Sequence, residues 1–326
     1  MPASRRALLA GALATAFATR ATALAVERPS VPLTFAVLGD APYTPAQVGP
    51  FVRMIGAINA DSSVRFVVHV GDIKSGAQLC TNTHLAGRLA LLQRFAKPVV
   101  FTPGDNDWTD CHERANGRFH PHERLSLLRR VFYSNPERSH GQRPMRVVSQ
   151  RTTRGYERYV ENARFDVDGL TCCTLHIVGS DDGLASWSDI DAADSVDRPR
   201  SDRLAEVIAR RAAALDWLDQ TFDHARHRAA DGVAIFMHAN PRFGRRPTSP
   251  RRAGYNAFID RLRQHASTFE RPVLLAHGDL HWHFVDRPLA AAANVTRMQV
   301  PGSPFVGWVK VGFSAGARRA FDFEAA

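Results

Sequence analysis

The sequence predicts an α/β protein built on a parallel sheet, from three observations. Short apolar runs of strand length alternate with segments of helical periodicity through the first third of the chain. Several of those runs stop abruptly at Gly-Asp, Pro-Gly-Asp or His. The 326 residues are 44% hydrophobic and 23% charged, which is ordinary globular usage and excludes collagen-like, low-complexity and disordered chains.

The elements follow in order. Leu33–Leu38 (LTFAVL) reads as a buried strand ending in Gly39-Asp40. Residues 46–59 place Val48, Phe51, Val52, Ile55 and Ile58 on one helical face. Residues 65–70 form a second strand before Gly71-Asp72, residues 85–95 a helix, and residues 98–102 a third strand before Pro103-Gly104-Asp105-Asn106. Strand, helix, strand, helix, strand at this spacing means βαβ units. Residues 123–132 are helical, and residues 159–167 and 170–178 read as a hairpin around Asp168-Gly169. An irregular polar stretch at 180–200 precedes a long amphipathic helix over 201–228. Residues 233–237 form a strand ending at His238, and 242–252 form a basic, proline-containing loop. A helix over 255–265 then leads into a strand at 273–276 that ends in His277-Gly278-Asp279-Leu280-His281. The tail alternates like antiparallel strands, punctuated by Pro301-Gly302. No repeat or linker interrupts residues 26–326, which read as one domain.

The first residues read differently. Arg5 and Arg6 precede an apolar stretch from Ala7 to Ala18, followed by the small-x-small site Ala23-Leu24-Ala25. This pattern predicts a cleaved export signal over residues 1–25, twin-arginine-like, and a mature protein in the periplasm or secreted, with no stable membrane anchor. An oxidising compartment would let Cys80 and Cys111, both in expected loops, close a disulfide. Cys172 and Cys173 are neighbours in a strand pattern and face opposite sides of the sheet as core residues. The net charge of +10 comes almost wholly from arginines scattered singly, so general attraction for anions is expected rather than a specific nucleic-acid surface.

Five strand ends carry groups able to ligate a metal: Asp40, Asp72, Asp105-Asn106, His238 and Asp279-x-His281. In α/β sheets ligands bind beyond the carboxyl ends of the strands, so these groups are expected to share one site. Mixed carboxylate and imidazole donors suit divalent first-row ions, and two such ions would clamp a phosphoryl group and activate water.

With GDAPY, GDIKSG, PGDNDW, MHANP and GDLH in this order, the chain resembles the calcineurin-like metallophosphoesterases from Leu33 to the terminal strands. The resemblance implies a double β-sandwich flanked by helices, in αββα layers, and hydrolysis of phosphate mono- or diesters at a dinuclear centre. Asp40 would be a first-metal carboxylate, Asp72 the bridging one, His238 a second-metal ligand and His281 a first-metal ligand. Three positions depart from the pattern. Pro42 stands where the first block has His, Asp105-Asn106 where the third has Asn-His, and Asp279 where the fifth has its first His. Asp105 and Asp279 would then be carboxylate ligands, which favours Mn-, Fe- or Mg-type ions over zinc. Asn106 would stand at the substrate-contacting position without a proton to give. Lys74 reads either as a phosphate-facing cation or as a surface lysine balancing acidic ligands, and His112 either as a substitute acid or as a loop histidine. Tyr43 reads either as an oxygen near the first metal or as a packed turn residue, and Asp181 and Asp182 either as residues at the pocket rim or as loop caps. The expected substrate is a small phosphate ester or related anion. The competing reading is a catalytically impaired binding protein that kept the fold.

Overall fold

The computed structural model describes residues 32–326; the expected export signal lies outside the described residues. Among the described residues two sheets face one another. The first has the order β12-β11-β1-β2-β3, with β1 (Leu33–Leu38), β2 (Val64–His69) and β3 (Val99–Phe101) parallel. β11 (Val309–Phe313) pairs antiparallel with β1, and β12 (Phe321–Ala325) antiparallel with β11. The second has the order β4-β5-β6-β7-β8-β10-β9. Here β6 (Leu170–Thr174), β7 (Gly232–Phe236), β8 (Val273–His277) and β10 (Val295–Gln299) run parallel. β5 (Ala163–Val167) pairs antiparallel with β6 and with the edge strand β4 (Val148–Ser149), and β9 (Phe284–Asp286) pairs antiparallel with β10 at the other edge.

The strands are continuous apolar runs because both of their faces are buried. In β1, Phe35 and Val37 point into the core between the sheets, where they meet Phe236, Leu274 and Met298 from the second sheet. Ala36 and Leu38 point outward, under helices α1 (Pro45–Ala60), α2 (Asn82–Leu92) and α3 (Pro121–Phe132). In β7, Ala234 and Phe236 join the central core, while Val233 and Ile235 face α5 (Ser201–His227) and α7 (Asn256–Phe269). The layers are therefore helices, sheet, sheet, helices. Cys172 and Cys173 fall into the two opposite cores, as their adjacency in a strand requires.

Helix starts follow local chemistry. Pro45 occupies the first turn of α1 after Thr44, and the Thr81 hydroxyl accepts the His84 N–H at the start of α2. Several boundaries differ from the sequence reading; α2 lies at Asn82–Leu92 rather than 85–95, and α7 runs on to Phe269. β5 begins at Ala163 and β6 ends at Thr174, because side chains replace the ladder there. Ala163 N–H donates to the Thr174 hydroxyl at 2.9 Å, and His176 N–H donates to Asn162 Oδ1 at 2.7 Å. The tail is not wholly antiparallel, since β10 pairs in parallel with β8. The stretch after β6 opens with a short segment, α4 (Gly179–Gly183), in which Ser180, Asp181 and Asp182 are all left-handed. The basic loop holds the short α6 (Pro250–Ala253).

Cys80 and Cys111 are bonded, joining the loop after β2 to the loop after β3 across 31 residues of chain. No helix among the described residues is long and apolar enough to cross a membrane. Because the bridge closes one loop, Cys80→Ala and Cys111→Ala should each cost about 3–4 kcal/mol, and the double variant no more than either single one. Thermal unfolding of the three variants checks this, and non-reducing mass mapping that found both thiols free would remove the bridge.

Candidate metal centre

The carboxyl ends of β1, β2 and β3 from one sheet, and of β7 and β8 from the other, open onto one spot. Two sets of side chains there can each hold an ion, with ligand atoms within 4.8 Å of one another: Asp40, Asp72 and His238, and Asp105, His238 and Asp279. His238 belongs to both sets. Its Nε2 lies 3.1 Å from Asp105 Oδ1 and 3.5 Å from Asp72 Oδ1. His281 stands at the rim with Nε2 3.5 Å from Asp40 Oδ1. All six predicted ligands therefore meet.

The donors fit a metal in three ways. Both imidazoles have their tautomer fixed by a backbone carbonyl: His238 Nδ1 donates to Val70 O at 2.9 Å and His281 Nδ1 to Ser303 O at 2.8 Å. Each Nε2 is thereby left aimed at the carboxylates, the usual outer support of a metal-bound histidine; without a metal, His238 Nε2 carries a proton toward Asp105 Oδ1 at 3.1 Å. Next, glycines crowd the ligands. A Cβ on Gly104 would come within 2.0 Å of Asp72 Oδ1, on Gly278 within 2.3 Å of Asp40 Oδ2, and on Gly179 within 2.2 Å of Asp105 Oδ2. Finally, the backbone is strained where it presents the ligands, with left-handed φ at Asp40 (52°), Asp72 (55°), Asp279 (84°) and His281 (68°). Left-handed backbone costs a non-glycine residue about 1–3 kcal/mol and persists where surrounding structure imposes it.

The electrostatics agree. Burial raises Asp40 to about 6, with the His238 and His281 charges opposing and Asp279 adding to the rise. Burial and the neighbouring Asp105, Asp107 and Asp40 charges push Asp72 well above the usual carboxylate range, and burial and Asp105 raise Asp279. Burial works against the Asp105 carboxylate too, but His238, Ser180 and Asp72 hold it down at about 2. His238 is raised well above its ordinary value because Asp72 and Asp105 outweigh its own burial. Without a metal the cluster needs protons to offset its crowded negative charge; divalent ions would take their place.

The remaining expected residues divide. Asn106 sits in the site: its side-chain amide donates to Asp72 Oδ2, and its N–H to Asp72 Oδ1 at 3.1 Å. Lys74 neither faces a candidate ligand nor lies at the surface, where one reading placed it: it is fully buried. Its buried ammonium donates to Ser75 O (2.9 Å), Asn106 O (2.7 Å) and Asn116 Oδ1 (2.6 Å), so it fastens the loop beneath the site. His112 is buried beside Trp187, with Asp189, Asp194 and Arg203 as its charged surroundings. Asp182 holds Arg210 and Arg211, while Asp181 accepts the Gly254 N–H at 3.0 Å and lies on the wall of the cleft beside the site.

Tyr43 belongs to the centre. Its hydroxyl lies 2.7 Å from Asp72 Oδ2, 3.4 Å from Asp40 Oδ1 and 3.3 Å from His281 Nε2. Several supporting residues were not singled out in the sequence. Asp107 accepts the N–H groups of Asp72, Ile73 and Gly104 at 2.8–3.0 Å and fixes both loops. Ser180 reaches Asp105 Oδ2 at 3.0 Å. Neutral His69 bridges Ala41 O and Gly71 N–H at 3.2 Å each, its pKa pushed down to about 4 by burial. The PGDND run gave a signal for Asp107; nothing local marks Ser180.

A second buried chain braces the third loop. Trp108 Nε1 donates to His176 Nε2 at 3.0 Å, and His176 Nδ1 meets Glu161 at 2.7 Å. Arg129 pairs with the same carboxylate.

No protein-family profile matches the chain, and no curated protein matches it. Solved structures similar to it include GAP50, the anchor in the inner membrane complex of Plasmodium, at 12% identity and a TM-score of 0.46, over 90% of this chain and 88% of that one. They also include the phosphopantetheinyl hydrolase PptH from Mycobacterium tuberculosis, at 13% identity and a TM-score of 0.40, over 83% of this chain and 90% of that one.

Two outcomes follow. Gly104→Ala should push Asp72 out of place and lower Mn²⁺ affinity on the order of 10–100-fold. Equilibrium dialysis measures this, with circular dichroism as the check on folding; unchanged affinity would show that the close approach is not needed. Glu161→Gln should cost about 3–5 kcal/mol at pH 7, because Arg129 loses its buried partner. Burial opposes the Glu161 charge, but Arg129 and His176 hold its carboxyl well below the usual range. Its contribution is therefore present above the ordinary value of 4.5 and is lost as pH falls below it. Melting curves at pH 7 and pH 3 should show the gap between the two proteins narrowing in acid.

Proposed function

We propose that this protein is an exported metal-dependent phosphoesterase of the calcineurin-like type, hydrolysing a phosphate mono- or diester. The observation that carries the reading is the pair of overlapping ligand sets that meet at His238. Divalent ions held there would polarise phosphoryl oxygens and supply hydroxide from bound water near neutral pH. Asp40 and His281 serve one side of the centre, and Asp105 and Asp279 the other. Asp72 is suited to bridge, because Oδ2 turns to Tyr43 while Oδ1 turns to His238 and the Asn106 N–H. Mn-, Fe- or Mg-type ions suit this carboxylate-rich set.

The chain's own groups divide the remaining work. The Asn106 amide can donate a hydrogen bond to a phosphoryl oxygen but cannot protonate a leaving group. The Tyr43 hydroxyl is a protic group at the centre and can orient an oxygen there. Arg242, 3.6 Å from Asp279 Oδ2, is the cation at the rim. Export is supported by the arginine pair and apolar run at the N-terminus and by the Cys80–Cys111 bond.

The absence of an imidazole at Asn106 favours a second reading, a metal-binding protein that turns over slowly or not at all. One experiment separates the two. Metal-loaded wild type should hydrolyse p-nitrophenyl phosphate or its bis-ester and melt higher in Mn²⁺ than in chelator. Asp72→Asn should lose both metal content and turnover, the latter by about 100-fold or more. Retained two-ion occupancy in that variant would take Asp72 out of the bridging role. Metal uptake without turnover would leave the binding protein.

A further inference from the structure

A cleft of about 590 Å³ opens directly beside the metal centre. Two of its wall residues belong to that centre: Asp279, a ligand in one of the two sets, and Ser180, hydrogen-bonded to Asp105. The rest of the wall is largely apolar, with Leu184, Val196, Leu204 and Ala253 from four separate segments. Val196 is 80% exposed, a large apolar side chain facing solvent on the lip. Arg242 and Arg251 add positive charge along the same wall, and Arg242 stands between the cleft and Asp279.

We propose that this cleft receives the organic part of the substrate, and that the substrate is a phosphate ester of an apolar alkyl or aryl alcohol. The proposal rests on the phosphoesterase reading and names its substrate class. The phosphoryl group sits at the ligand cluster, Arg242 neutralises an oxygen that the ions do not hold, and the ester substituent runs past Ser180 onto Leu184, Leu204 and Ala253. A sugar or polyol laid over Leu184, Leu204 and Ala253 would leave hydroxyls facing apolar side chains that cannot hydrogen-bond them, which costs affinity. An alkyl chain instead gains roughly fourfold per methylene buried. The left-handed turn at Ser180, Asp181 and Asp182 makes the two regions continuous, because it brings Ser180 to Asp105 while Leu184 enters the cleft.

The test uses two non-hydrolysable probes, methylphosphonate and octylphosphonate, titrated calorimetrically into the Mn²⁺-loaded protein below the concentration at which the octyl probe aggregates. With three or four methylenes buried, octylphosphonate should bind on the order of 100-fold more tightly. Ala253→Trp, which fills the cleft, should bring the octyl affinity down to the wild-type methyl value. Val196→Asp should do the same in part, at a position too exposed to threaten folding. Equal affinities for the two probes in wild type, or an octyl advantage that survives both variants, would overturn the cleft while metal uptake left the phosphoesterase reading standing. No metal uptake and no binding of either probe would overturn both.

Discussion

Everything at the strand ends depends on keeping carboxylates buried together around one imidazole. Asp40, Asp72, Asp105 and Asp279 all lie against His238 or one another, and burial makes each additional negative charge more costly. A chain left to itself would turn these groups toward water. The left-handed backbone at Asp40, Asp72, Asp279 and His281, and the glycines that let neighbouring backbone approach them, are the local means of preventing it. Strain of this kind survives only where packing over-determines it, and the packing is supplied by the two-sheet sandwich.

Neither sheet holds the centre alone. Asp40, Asp72 and Asp105 leave the first sheet, while His238, Asp279 and His281 leave the second. The join between them is direct: His238, after β7, donates to the carbonyl of Val70, after β2. The Phe35, Phe236 and Met298 core beneath sets the spacing of the sheets. A change that shifts one sheet against the other would separate the ligands without touching them.

The loops around the site are fastened mostly by groups that do no chemistry. Lys74 spends its charge on two backbone carbonyls and Asn116, the disulfide ties the second loop to the third, and Asp107 takes three N–H groups from both. The Glu161–His176–Trp108 chain fixes the third loop from behind. Such rigidity lets ligands be held apart at set distances against their own repulsion. It leaves the walls around Leu184 and Arg242 as the open side of the site.

The sequence by itself determined the alternation of strands and helices and the run of Asp and His groups at strand ends. Both are local: apolar runs buried on two faces, and chemistry that begins where the apolar run stops. It also determined the opposite burial of Cys172 and Cys173, which follows from adjacency in a strand. Only the tertiary structure decided the rest. Tyr43 reads equally well as a packed turn residue until Asp72 and His281 come to its hydroxyl from 29 and 238 residues away. Lys74 reads as a phosphate contact or as a surface lysine until Asn106 and Asn116 fold over its ammonium. Ser180 carries no local mark, because its partner Asp105 lies 75 residues earlier. The partner of a polar side chain is chosen by which distant segments the sheets bring together, and spacing along the chain does not encode that.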